Sequence, residues 1–66
     1  MNQRQREMLK RLLAGEELTG GPCEASFGVT RPVITKDLKG LVALDIAVQV
    51  GRGRATRYRL KLVSES

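Results

Sequence analysis

The most constraining feature of this sequence is a change of period at Asp45. Before it, apolar residues recur at helical spacing. After it, Ile46, Val48 and Val50 alternate with Ala47 and Gln49, and Gly51-Arg52-Gly53-Arg54 supplies a turn. Tyr58, Leu60 and Leu62 then alternate with Arg57, Arg59 and Lys61. Period two on both sides of a glycine-rich break predicts an antiparallel hairpin over 46–62, with one apolar and one strongly basic face.

Helical signals fill the chain ahead of it. Asn2 suits an N-cap, with Gln5 three residues later as its capping-box partner. Met8, Leu9, Leu12 and Leu13 form one apolar stripe and Gly15 stops it, which predicts a helix over 3–14. Glu16-Glu17-Leu18-Thr19 reads as a short strand, 16–19. Gly20-Gly21-Pro22 breaks the chain, and Pro22 fits the first turn of a short helix over 22–27 that Gly28 ends. Thr30 caps the next helix, Pro32 sits in its first turn, and Ile34, Leu38, Leu41 and Val42 follow at helical spacing, giving a helix over 31–43. Gly40 weakens it by about 1 kcal/mol relative to Ala. With 66 residues the expectation is one α+β domain. Its core should join Met8, Leu9, Leu12 and Leu13 to Ile34, Leu38, Leu41, Val48, Val50, Tyr58 and Leu60.

Composition removes most chemistry. The chain has no histidine and one cysteine, which argues against zinc-finger ligation, histidine acid–base catalysis and a disulfide framework. Cys23 reads as a small apolar residue of the second helix, and Asp37 as an ion-pair partner, since no second acid or nucleophile accompanies it. No enzyme activity, metal or cofactor is expected. No apolar run approaches the ~18 residues of a membrane span and no signal peptide opens the chain, so no membrane partner and a cytoplasmic location are expected.

The charge is unevenly placed. Residues 1–30 carry four basic and four acidic residues, whereas 31–61 carry eight basic against two acidic, within an overall net charge of +5. A neutral half joined to a basic half suggests a scaffold with a polyanion-facing surface, nucleic acid being the commonest partner. The plain alternative is a basic surface that serves solubility.

The run Gly28-Val29-Thr30-Arg31-Pro32-Val33-Ile34-Thr35-Lys36-Asp37-Leu38-Lys39-Gly40-Leu41 resembles the helix-turn-helix of bacterial winged helix-turn-helix domains. Gly51-Arg52-Gly53-Arg54-Ala55-Thr56-Arg57-Tyr58-Arg59-Leu60 is similar to the wing of a subgroup that includes DeoR-like regulators and the C-terminal winged domains of Fic-family proteins. Three positions depart from that pattern. Glu24 stands where an alanine is usual, Leu44-Asp45-Ile46 replaces a glycine turn, and Pro32 replaces a longer polar residue. The Fic phosphate-binding His-Pro-Phe motif is absent, so the resemblance implies no nucleotide transfer.

What the resemblance implies is sequence-specific binding of double-stranded DNA, as a prokaryotic transcriptional regulator or the DNA-binding module of a larger one. Helix 31–43 would enter the major groove, and the wing would touch backbone or minor groove. The candidate DNA-binding residues are Thr30, Arg31, Pro32, Val33, Thr35, Lys36 and Lys39 on that helix, with Arg52 and Arg54 on the wing. Arg31 suits a guanine edge, Thr35 a hydrogen bond and Val33 a thymine methyl. A solvated helix face and glycines that merely serve a turn would produce the same residues. The alternative function is a protein-interaction or autoregulatory module, acting on a partner protein or on its own parent chain.

Overall fold

Helix α1 (Gln3–Leu13) opens on the capping box: Gln5 N–H donates to Asn2 Oδ1 over 2.7 Å, and Asn2 N–H donates to Gln5 Oε1 over 2.9 Å. Lys10 and Arg11 complement the negative end of the helix at its last turn. The computed structural model describes residues 1–61; Leu62, expected at the end of the hairpin, lies outside the described residues. Helices α2 (Gly20–Phe27) and α3 (Arg31–Ala43) follow, joined by Gly28 in the left-handed conformation. Strands β1 (Ala47–Val50) and β2 (Arg57–Leu60) then pair antiparallel, with a 3-10 turn at Gly53–Ala55 between them. Three helices followed by a two-stranded hairpin make the α+β layout of a winged helix. No described helix is long and apolar enough to cross a membrane.

The core gathers on one side of α3. Ile34, Leu38 and Leu41 are buried there against Met8 and Leu12 of α1, Cys23 of α2, Leu18, Ala47 and Tyr58. The α1 stripe is rotated from expectation: Met8 and Leu12 are buried, Leu9 is half-buried and Leu13 is 65% exposed. Residues four apart share a helix face, so the pair Met8/Leu12 excludes the pair Leu9/Leu13 from the same seam. In place of a strand over 16–19 there is one bridge. Leu18 and Tyr58 exchange backbone hydrogen bonds of 2.7 and 2.8 Å, and this draws Leu18 into the core as an outer rung beside β2. Helix α2 begins at Gly20, two residues before Pro22, with Thr19 as an extended N-cap.

The hairpin has the opposite phase on its first strand. Ala47 pairs with Leu60, Val48 with Arg59, Gln49 with Tyr58 and Val50 with Arg57. Directly paired residues share a face, so Ala47 faces inward with Tyr58 and Leu60. Val48 and Val50, expected in the core, lie on the other face beside the arginines and are half-buried. The cause is the turn that enters β1. Asp45 is left-handed (φ 66°), and the Ile46 N–H returns to the Leu41 carbonyl over 3.0 Å. Ile46 is thereby held in the turn, where it packs against the edge of the core, and Ala47 becomes the first strand residue to face inward. A shift of one residue moves every side chain of a strand across the sheet.

Candidate nucleic-acid interface

Successive residues of α3 step about 100° around its axis, which divides its surface into three strips. The strip of Ile34, Leu38 and Leu41 is the core side. A second strip holds Val33, Asp37 and Gly40, of which Asp37 and Gly40 lie against the start of α1. Asp37 is only 4% exposed, and its carboxylate accepts from Arg4 Nε (2.6 Å) and Asn2 Nδ2 (2.8 Å). Gln5 Nε2 donates to the Asp37 backbone carbonyl over 3.0 Å and crosses Gly40 so closely that a side chain there would displace it. Burial by itself pushes the Asp37 carboxyl up, but hydrogen bonds from Arg4 and Asn2 and the charges of Arg4 and Lys36 outweigh it. The net pKa is held below its ordinary value. Asp37 therefore belongs to the scaffold, where it fixes α3 to α1.

The third strip is open to solvent. Pro32, Lys36, Lys39 and Ala43 form its exposed crest, with Arg31 and Thr35 on the side that turns toward the hairpin. Arg31, Thr35 and Lys39 line an open groove of about 640 Å³ whose far wall is Gln49, Arg54 and Thr56 of the hairpin. Gly20 and Gly21, the first residues of α2, close one end of it, with Tyr58 also in the lining. Among the described residues, three cations and no carboxylate line this groove. The first N–H groups of α2 have no intrahelical partner and Thr19 supplies no side-chain cap, so that end of the groove is electropositive too.

The candidate residues thus separate. Arg31, Thr35, Lys39 and Arg54 meet around one groove. Pro32 and Lys36 stand on the adjoining crest, and Thr30 is exposed at the helix N-cap without making a side-chain cap. Val33 lies on the Asp37 strip, half-buried and about 160° around the helix from Thr35 by helical geometry. Arg52 is exposed at the tip but outside the groove lining. Gly51 and Gly53 both take positive φ there, at 82° and 56°. Sequence reasoning missed the contribution of Gly20, Gly21, Gln49 and Thr56. Only the paired glycines gave a signal, and it read as a chain break.

Several charges act as braces. Arg31 Nε donates to Glu24 Oε1, tying α3 to α2, and Lys61 pairs with Asp45 across the base of the hairpin. Arg57 Nε lies 3.1 Å from Glu17 Oε1, near enough for an ion pair but not aligned for a hydrogen bond. Arg11 stacks 5.0 Å above the Phe27 ring and donates to Ser26 Oγ, holding α1 to α2. Among the described residues, Lys36, Lys39, Arg52 and Arg54 pair with no carboxylate. Cys23 is 1% exposed, and burial pushes its thiol pKa up despite the opposing charge of Arg11, the reverse of an activated cysteine.

Comparison with protein-family models, with curated proteins and with solved structures returns no match to this chain.

Proposed function

We propose that this chain binds double-stranded DNA, as the DNA-binding module of a transcriptional regulator. The observation that carries this reading is the convergence of Arg31 and Lys39 from α3 with Arg54 from the hairpin around one groove that no described carboxylate lines. Cations fixed on two separate elements at a concave surface suit a ribbon of phosphates better than they suit solubility alone, which needs no convergence. Helix α3 has thirteen residues, about 20 Å, long enough to lie in a major groove. On this reading Lys36, Lys39, Arg52 and Arg54 neutralise phosphates, while Arg31 and Thr35 address base edges. Val33, half-buried on the Asp37 side of α3, stands about 160° around the helix from Thr35 and so away from the base-reading face on this reading.

Two kinds of variant should behave differently. Lys39→Ala and Arg54→Ala each weaken binding to all duplexes alike, because phosphates carry no sequence information. Arg31→Ala relaxes the preference at one base position instead. A protein-interaction module would show neither pattern: its duplex affinity would be weak, and loss of Arg31 would alter no base preference. Titration of the three variants against a randomised duplex library distinguishes these outcomes.

A further inference from the structure

Arg31 is the groove cation with a side-chain partner, although its own side chain is 58% exposed. Its Nε–H is committed to Glu24, seven residues earlier on α2. Its outer half also crosses the first turn of that helix through a notch that exists because residue 20 has no side chain. A Cβ built on Gly20 would sit 2.6 Å from Arg31 Cδ and Nε and 2.8 Å from Cζ, so a side chain at position 20 would make the end of Arg31 shift out of this posture. Gly20 is not among the positive-φ glycines, so backbone conformation does not demand glycine there. Arg31 occupies the space that a side chain at position 20 would fill. A guanidinium has one donor on Nε and four on its two terminal nitrogens. With Nε held by Glu24, both terminal nitrogens remain without a hydrogen bond among the described residues. These two nitrogens can engage a guanine O6/N7 edge end-on.

We propose that Glu24 and Gly20 are positioning residues for Arg31: the carboxylate holds Nε, the glycine leaves the passage, and together they aim the terminal nitrogens at one base. The inference rests on the DNA-binding reading and adds a specificity device to it. A carboxylate this near a DNA interface repels phosphate, so its presence weakens binding to every sequence. The compensating gain is orientation: an arginine already fixed loses less rotamer freedom on engaging its base.

Two measurements test this on the full chain. The first needs no DNA. In the free, isotope-labelled protein the Arg31 Nε–H should exchange slowly with solvent, and Glu24→Ala or Gly20→Ala should each abolish that protection. Equal exchange in all three proteins overturns the proposal. The second is selection from a randomised duplex library, with Arg31→Ala defining the position that Arg31 reads. Loss of a bidentate base contact corresponds to about a 5- to 150-fold loss of discrimination. Glu24→Ala and Gly20→Ala should each lose most of it at that same position, whereas Glu24→Gln, which keeps an acceptor oxygen, should retain part. Alanine at position 20 favours the helix, so thermal melting of Gly20→Ala should not fall. If Glu24→Ala tightens binding to all duplexes and leaves the base preference intact, Glu24 is only a repulsive charge and the proposal fails alone. If the native chain has no preference at any position, the DNA-recognition reading fails and takes this role with it. The exchange data then still report whether the brace exists.

Discussion

Removing the Asp37 carboxylate should detach the start of α1 from α3 and leave a pH signature. The carboxylate accepts hydrogen bonds from Arg4 and Asn2, and the residue is 4% exposed. Breaking a fully buried ion pair costs about 3–5 kcal/mol, but the Arg4 side chain is 38% exposed and can turn to water. The charge-assisted bond is then worth about 1.5–3 kcal/mol and the Asn2 bond adds less than its full value, so Asp37→Ala should cost about 2–3 kcal/mol. A domain of 66 residues has about 3–10 kcal/mol in total, so the loss is large but survivable. Asp37→Asn should cost less, since one oxygen still accepts while the amide N–H groups oppose the Arg4 donor. The folded carboxyl pKa is depressed, so the unfolded chain takes up protons first. The contribution of Asp37 is therefore complete above the ordinary carboxylate range, about pH 4. It fades as pH falls through the lower folded value. Urea unfolding of native and Asp37→Ala chains at pH 7 and at about pH 2–3 measures both effects, with the gap between them narrowing in acid. A gap below about 0.5 kcal/mol at pH 7, or one equally wide in acid, would refute the clamp.

Leu38→Ala empties the centre of the core, where Leu38 is 1% exposed; it should cost about 2–5 kcal/mol and leave much of the chain unfolded by circular dichroism. Gly51→Ala forces a side chain onto the Ala55 carbonyl at φ 82°, so the amide resonances of residues 50–57 should shift while those of α1 stay in place. Cys23, 1% exposed with a raised thiol pKa, should resist alkylation in the folded chain at neutral pH and react fully in urea.

Local signals carried far where they were strong. Thr30, Pro32 and the apolar spacing from Ile34 to Leu41 mark a helix by capping and period together, and α3 spans Arg31–Ala43. The phase of β1 was hidden because Ile46, Val48 and Val50 outweigh Ala47 in apolarity. What decides the phase is the left-handed turn at Asp45 and the pairing of Lys61 N–H with the Ile46 carbonyl over 2.8 Å, neither of which has a local signature. Leu9/Leu13 and Met8/Leu12 are equally good helical pairs in sequence, and only the position of α3 against α1 selects the second. The groove was half visible. Its cations stand out as charges, but the Gly20 passage and the Glu24 brace join residues seven to eleven apart, and no periodicity reports such pairing. Glu24 stood out in the sequence as an acid in place of a small residue; its partner emerged from the fold.

Whether Lys36, Lys39, Arg52 and Arg54 receive duplex phosphates beside the groove that Arg31 lines is read from the salt dependence of DNA affinity. About four to six phosphate contacts displace as many condensed counterions, so log affinity should fall with log salt at a slope near −4 to −5. Arg54→Ala should flatten that slope by about one unit. Titration of a labelled duplex library at two salt concentrations supplies the slope and the strongest affinity together. A steep slope with some duplexes bound well below 10⁻⁵ M at physiological salt is the predicted result. No duplex bound more tightly than about 10⁻⁵ M would be non-specific polyanion binding, and would contradict the account.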